Sequence, residues 1–545
     1  NMRLDLWNAE TTGCVRTTLG EIKLKAYVTS ESPYIIVEAE ATKGEKNFTW
    51  KFYPEKTDSP RQLNAIRIKS KNHFKKDYIS NPASQLYERN GLNFCWQPLL
   101  DGGGTATVWK EIRKDNKSIL VISNAHSFPE TDALQKAETA LVSLQEIDLL
   151  SLQKTHRDWW HNYYPLSFVS LPDKKIENFY WAQMYKLASA TRIGGGLLDN
   201  SGPWQVLTPW PNAWWNLNVQ LSYWPVYAAN RLELGMPLVD VVKNNFDNLI
   251  NNVPEAYRKD AAALPVCTDF NLIGVDVRVP GSEKFAQVGN LPWLCHNLWL
   301  QYRFSMNESI LRNVLFPTLR RAINFYIPFL EEDEQGILHL KETYSPEYGS
   351  AEDCNYDIAL LRWGCQTLLK ASQILSIKDD LIPKWQEIIE KLTDYPQDEN
   401  GMMIGKDVPF SKSHRHYSHL LMFYPLYLLN IEQNESKELL EKSVEHWLSI
   451  PGNILGFSNT GASSLYAAAG EGDKALEKLK GLFALTLRPN TMYMESGPVI
   501  ETPLSGAQCI HDMLLQSWGG KIRVFPAVPS PWKDVQFQDL RTEGA

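Results

Sequence analysis

Four segments of the chain bring amides, carboxylates, imidazoles and indoles close enough together to act on one ligand. The first is Trp214-Trp215-Asn216-Leu217-Asn218-Val219-Gln220, with Trp204 and Trp210 ahead of it and Tyr223-Trp224-Pro225 behind. Amides at alternate positions beside so many rings present donors and acceptors to a pocket with aromatic walls. An amide does not activate water alone, but it can hold a water or a hydroxyl while a carboxylate supplies the basicity. The same residues also read as a capped helix start over a Trp-rich core.

Two loop carboxylates are candidates for that partner. Glu347 lies in Tyr344-Ser345-Pro346-Glu347-Tyr348-Gly349, where proline stiffens the loop and aromatic neighbours are expected to disfavour the charged form, as a general acid requires. Glu501 lies in Glu495-Ser496-Gly497-Pro498-Val499-Ile500-Glu501-Thr502-Pro503-Leu504, just ahead of a helical run. There it could equally serve only to stabilise a helix dipole. The fourth segment, His414-Arg415-His416-Tyr417-Ser418-His419, suits hydrogen bonding to a hydroxyl-rich ligand. A zinc site is the alternative, but H-x-H-x-x-H is not a usual ligand spacing and no companion acid is evident, so neither metal nor cofactor is expected.

In this order the segments resemble the motifs of glycoside hydrolase family 95. Asn216-Leu217-Asn218 through Tyr223-Trp224-Pro225 is similar to its Asn-x-Asn-x-Gln-x-x-Tyr-Trp-Pro segment, Ser345-Pro346-Glu347 to its acid motif, and His414-Arg415-His416-x-Ser418-His419-Leu420 to its His-Arg-His-x-Ser-His-Leu motif. The resemblance implies an inverting α-L-fucosidase or α-L-galactosidase. Glu347 would be the general acid, and Glu501 with Asn216 and Asn218 would activate water. Arg415, His416 and His419 would bind sugar hydroxyls, Trp215 or Trp204 would supply an apolar wall, and His296 would border the sugar. Two departures stand out: Ile500-Glu501-Thr502-Pro503 replaces the family's Ile-Asp-Gly-Asn, and His296-Asn297 stands where the family has Gln-His. The alternatives are a carbohydrate-binding protein with impaired catalysis, and another inverting exo-glycosidase or a phosphorylase on the same barrel.

The elements that must position these residues read as follows. Alternating runs at Glu21 to Thr29, Tyr34 to Glu40, Asn47 to Tyr53 and Ile119 to Ser123 predict an antiparallel β-sandwich over residues 1–130. A polar helical linker is expected over 131–173. From 174 to 518 amphipathic helices succeed one another, as in Leu311, Val314, Leu315, Leu319, Ala322 and Phe325. Without a fixed-period repeat they are best packed as a closed toroid, and the resemblance implies an (α/α)6 barrel. Strand patterning returns at 519–545, as the start of a small C-terminal β domain.

Composition narrows the partners. A formal charge of -8, with no strongly basic run, argues against nucleic acid, and no apolar stretch is long enough to span a membrane. The 19 Trp and 23 Tyr suit sugar rings, which have C–H faces and hydroxyl rims, although large helical cores use them too. An oligosaccharide or polysaccharide is the expected partner, and the protein is expected to be exported, with any leader absent from this sequence. Scattered cysteines predict no disulfide framework.

Overall fold

The computed structural model describes all residues except 56, 72–73, 145–147, 205–206, 276, 486, 496 and 545, so Ser496 of the Glu501 segment lies outside the described residues. The chain forms two compact units, Asn1–Leu166 and Ser167–Ala545.

The first unit is built on one eight-stranded antiparallel sheet. Its strands are β1 (Met2–Asp5), β2 (Glu10–Arg16), β3 (Glu21–Val28), β4 (Tyr34–Ala41), β5 (Gln85–Arg89), β6 (Leu92–Pro98), β7 (Gly104–Lys114) and β8 (Lys117–Ser127). They lie in the order β1-β2-β3-β4-β8-β7-β6-β5. One short helix, α1 (Pro60–Arg67), lies in the β4–β5 connection; α2 (Ala133–Ser143) and α3 (Asp148–Tyr163) follow the sheet. Tyr27, Ile36, Phe94, Val108 and Val121 from the sheet pack with Ala133, Ala137 and Leu141 of α2. Alternation along the strands thus buries one face under a helix. The run Asn47 to Tyr53 is not a strand, contrary to its patterning. Phe52 stacks on Trp109 at 4.6 Å and the Trp50 indole donates to Ser118 Oγ at 2.8 Å, so its aromatic alternation serves packing onto the sheet.

In the second unit, outer and inner helices alternate along the chain. The outer α4 (Lys174–Ala190) precedes the inner α5 (Asn218–Ala228). The outer pair α6 (Met236–Asn244) and α7 (Phe246–Asn251) precedes the inner α8 (Asn290–Ser305). Then α9 (Glu308–Ile310) runs through a π turn into the outer α10 (Phe316–Asn324), followed by the inner α11 (Asn355–Leu375) and outer α12 (Ile382–Lys391). A buried stretch with a short 3-10 turn, Ser418–Leu420, takes the next inner place. The outer α13 (Ser436–Ser449), inner α14 (Gly456–Ala468), outer α15 (Gly472–Ala484) and inner α16 (Glu501–Leu514) complete the (α/α)6 barrel, and α16 packs back on α5 to close it.

Side-chain patterning explains the alternation: outer helices carry one apolar stripe, whereas α5, α14 and α16 are buried on every face. Small residues let the inner ring close. A Cβ on Gly461 of α14 would meet the Tyr417 ring at 2.2 Å. Pro503 fits α16 because it lies in the first turn, where its missing N–H leaves no intrahelical bond unmade. Beyond the barrel, Arg523–Val524 pairs with Leu515–Gln516, and Gln536–Gln538 pairs with Phe168–Ser170. No helix among the described residues is long and apolar enough to cross a membrane, and all seven cysteines are free.

Candidate active site

Glu347 sits at the tip of a β-hairpin in which Thr343–Ser345 pairs with Gly349–Ala351. Its φ of 55° is in the left-handed region, which costs a non-glycine residue roughly 1–3 kcal/mol unless the surroundings impose it. Here they do. His414 Nε2 donates to the Pro346 carbonyl at 3.2 Å, Ser345 and Ser418 share a hydroxyl hydrogen bond at 2.9 Å, and Lys412 Nζ donates to the Tyr348 carbonyl at 2.8 Å. The histidine-rich segment therefore clamps the acidic hairpin as well as facing its carboxylate.

The amides arrive by another route. Ala213–Trp214 pairs with Cys267–Thr268, Trp215 N continues the pairing to Val266 O, and the chain turns into α5 at Asn218. Asn218 Nδ2 donates to Glu501 Oε1 at 3.1 Å, and Asn216 Nδ2 donates to Glu347 Oε1 at 3.5 Å. Two asparagines separated by Leu217 thus each hold one of two carboxylates that come from different parts of the barrel sequence. Glu501 is the first residue of α16, and its entry is fixed by Ile500 N donating to Asn200 O at 2.8 Å.

Asn218, Glu347, Arg415, His416 and Glu501 line one pocket of about 350 Å³, together with Asn200, Trp210, Trp214, Leu217, Phe457 and Glu495. Glu347 lies toward its mouth, with a side chain 36% exposed, whereas Glu501 is 1% exposed. Glu501 Oε2 and Asn200 Oδ1 are buried and have no partner among the described residues. Orphaned oxygens on a pocket wall fit a bound water or sugar hydroxyl.

Charge is distributed unevenly. Burial opposes the ionised form of Glu347, but the hydrogen bond from His416 and the charges of His416 and Arg415 outweigh it, holding the carboxyl well below the usual range. The expectation that aromatic neighbours would keep Glu347 protonated is therefore corrected: Arg415 Nη2 forms an ion pair with Oε2, and His416 Nε2 lies 3.7 Å from it. Glu501 moves the other way. Burial pushes it up to about 8 despite the Asn218 hydrogen bond. Glu495, 3.6 Å from Arg415 Nε, is raised by burial as well.

Among the expected site residues, Glu347, Glu501, Asn218, Arg415 and His416 line the pocket, and Asn216 touches it through Glu347. Four do not line it. Trp215 is fully buried with its indole on Thr268, because successive residues at the end of a strand point to opposite sides and Trp214 takes the pocket side. Trp204 lies over Gly202, and His419 is stacked on Phe410 at 4.6 Å, behind the hairpin clamp. His296, midway along α8, lines different cavities. Asn200 and Phe457 carry no local motif and were not anticipated; Trp210, Trp214 and Glu495 stood inside or beside the quoted segments. Among the described residues no group of three or more His, Cys, Asp or Glu could hold a metal ion.

Residues 169–514 match the glycosyl hydrolase family 95 catalytic domain. Alpha-L-fucosidase 2 of Arabidopsis thaliana is 25% identical over 401 residues, which is 68% of this chain and 47% of that protein. Probable alpha-fucosidase A of Aspergillus niger (strain ATCC MYA-4892 / CBS 513.88 / FGSC A1513) is 22% identical over 424 residues, covering 70% of this chain and 52% of its own length. The chain thus spans about half the length of these relatives. A solved putative kojibiose phosphorylase from human microbiome superposes with a TM-score of 0.73 over 100% of this chain and 80% of its own, at 11% identity, a likeness of fold alone.

Proposed function

Because the chain belongs to glycosyl hydrolase family 95, we propose that it removes a terminal α-L-fucosyl or related α-L-galactosyl residue from a glycan, with inversion at the anomeric carbon. The observation that carries this reading is the pairing of Asn216 with Glu347 and of Asn218 with Glu501 across one pocket. In an exo-acting pocket the scissile oxygen points to the mouth and the attacking water approaches from the floor. Glu347, nearer the mouth, then protonates the leaving oxygen as its bond to the anomeric carbon breaks. Glu501 takes a proton from the water whose oxygen bonds to that carbon, while the two asparagines fix the water's position. Trp210, Trp214 and Phe457 offer apolar surface to a sugar methyl group, in keeping with the fucosidase names of the relatives.

Ionisation set by the protein alone runs opposite to these roles, with Glu347 charged and Glu501 neutral. One proton shared between two carboxyls is nevertheless the required count. A sugar that takes the hydrogen bonds of Arg415 and His416 and excludes water from Glu347 drives the proton toward the mouth. The same observation favours a second reading, in which Glu501 donates the proton and Glu347 activates water. The burial of Glu501 favours the first, since a buried floor carboxyl is poorly placed for a leaving group that exits through the mouth. Phosphorolysis is disfavoured because the charged Glu347 lines the pocket and already pairs with Arg415, the cation a phosphate would need. Proton NMR of the first product from an aryl α-L-fucoside or α-L-galactoside tests the proposal. A β-configured sugar supports it; an α-configured product, or sugar binding with no turnover, overturns it.

A further inference from the structure

Arg415 faces two carboxylates, and its guanidinium is divided between them. Nη2 forms the ion pair with Glu347 Oε2, while Nε lies 3.6 Å from Glu495 Oε1. These two nitrogens make up the side-on fork that matches one carboxylate with two parallel hydrogen bonds. Arg157 and Arg320 close the same fork on a single partner. Nε and Nη2 of Arg157 donate to the two Glu10 oxygens at 2.7 and 2.8 Å, and those of Arg320 to the two Asp379 oxygens at 2.6 and 3.3 Å. At Arg415 neither carboxylate has the whole fork.

Glu495 stands at the tip of a hairpin in which Tyr493–Met494 pairs with Pro498–Val499, as Glu347 stands at the tip of its own. Its amide donates to the Gly497 carbonyl at 3.1 Å. Its side chain lines the active pocket, is 14% exposed, and among the described residues accepts no hydrogen bond. A carboxylate taken from water without donors is destabilising until it is paired. Arg415 can supply that pairing by side-chain rotation alone, because its main chain is fixed. Ser458 Oγ donates to the Arg415 carbonyl at 2.8 Å, and the Trp447 indole donates to the His414 carbonyl at 2.8 Å. Glu347 keeps donors of its own: Asn216 Nδ2 and His416 Nε2 lie 3.5 and 3.7 Å from its carboxyl oxygens.

We propose that Glu495 is a positioning residue that takes the Arg415 fork from Glu347 when a sugar fills the pocket, so that Glu347 becomes the proton-bearing carboxyl. The inference rests on the reading of Glu347 as the acid and deepens it. Charge and protons balance. Beforehand Glu347 is ionised and paired with Arg415, and Glu501 holds the proton. Afterwards Glu495 and Arg415 are the pair, Glu347 holds the proton, and Glu501 is ionised beside Asn218. One proton and one guanidinium have exchanged partners, and the net charge of the pocket is unchanged. The sugar supplies the drive by excluding water from Glu495. The groups that act on Glu347 are Arg415, His416 and His414 on one side and Glu495 and Tyr344 on the other; Glu495 in turn faces Arg415, Glu347 and Glu501.

The test is the leaving-group dependence of Glu495→Gln in the full chain, which keeps shape and volume while removing the charge that competes for Arg415. Hydrolysis of an unactivated glycoside should fall roughly tenfold, the scale of one charge-assisted hydrogen bond, with the loss in kcat rather than KM. A dinitrophenyl glycoside, whose leaving group needs no proton, should lose far less. The alkaline limb of kcat/KM should move below about pH 8, because a negative charge that raises Glu501 is gone. In an Arg415→Met background the same substitution should lose most of its effect on the leaving-group ratio, since no guanidinium remains to be redirected. A role confined to packing would lower both substrates alike and leave the alkaline limb in place. Either result overturns the proposal, as does an undiminished effect in the Arg415→Met background. Glu347→Gln measured alongside separates the two failures. Leaving-group dependence in Glu347→Gln but not in Glu495→Gln overturns this proposal alone; its absence from Glu347→Gln overturns the acid reading and this inference with it.

Discussion

Arg415 and Glu347 form an ion pair toward the mouth of the active pocket, and together with the hydrogen bond and charge of His416 it holds the proposed acid in the wrong protonation state for its task. Removing the cation should release it. In Arg415→Met the Glu347 pKa rises, so the acidic limb of the kcat/KM profile moves to higher pH. The KM also rises, because a hydrogen-bond donor to the sugar is lost. An unmoved acidic limb would show that Glu347 does not govern it.

Either assignment of acid and base needs one proton between Glu347 and Glu501, so the pH profile has the same limbs in both. Activity should therefore persist well into acid, where Glu347 is still ionised, and fall as Glu501 loses its proton at about pH 8. A kcat/KM profile measured on an activated aryl glycoside checks this. An alkaline limb near the ordinary carboxylate range would mean that burial of Glu501 is relieved in solution.

The leaving group separates the two assignments. With Glu347→Gln, hydrolysis of an unactivated glycoside should drop by at least about a hundredfold, the usual scale of acid catalysis, while a dinitrophenyl glycoside, which needs no protonation, should lose far less. Sugar binding should persist, since the amide keeps the hairpin geometry. Equal losses on both substrates would remove Glu347 from the acid role.

Much of this site could be read from the chain because its residues stand in short, dense segments. Asn216 with Asn218, Ser345-Pro346-Glu347 and the Arg415-His416 pair are local patterns, and all converge. The barrel was equally legible, since amphipathic outer helices alternate with helices buried all round. What escaped depends on three-dimensional context. Asn200 reaches the pocket from an irregular loop and Phe457 from the first turn of α14, without local signal. Which of Trp214 and Trp215 faces the pocket turns on a single residue of register in a two-residue strand. Aromatic neighbours alone suggested a protonated Glu347; the imidazole of His416 and the guanidinium of Arg415 that reverse this stand in a segment 68 residues away.

Stability should report the burial of Glu501. Its folded pKa, about 8, lies above the ordinary glutamate value of 4.5, so between these limits the folded state holds a proton that the unfolded state has released. Stability from this group is full below about pH 4.5 and is lost as pH rises through 8, at about 1.4 kcal/mol per pH unit for a fully coupled group. Glu501→Gln removes the ionisation. Its Tm relative to the parent should therefore be higher at pH 8 than at pH 5. A pH-independent difference would show that Glu501 titrates normally.

The base assignment rests on Asn218 holding Glu501 at 3.1 Å with the second carboxylate oxygen left free in the pocket. Glu501→Gln keeps the hydrogen bond and the volume but cannot accept a proton, so turnover should fall by at least about a hundredfold on activated and unactivated substrates alike. Glu501→Asp should not rescue it. The aspartate draws the carboxylate back by about one carbon–carbon bond, and displacements near 1 Å can cost roughly a hundredfold. Asn218→Ala should lose turnover with a smaller change in KM, because it frees the carboxylate to rotate without removing it. Azide gives the decisive readout: it needs no deprotonation to attack, so it should restore activity to Glu501→Gln and yield a β-glycosyl azide, while leaving Glu347→Gln unimproved on an unactivated substrate. If azide rescues the Glu347 variant instead, the two carboxylates exchange roles. If Glu501→Gln turns over like the parent without azide, the base is neither residue at this position nor its asparagine partner, and Glu495, the third carboxylate of the pocket, becomes the group to replace next.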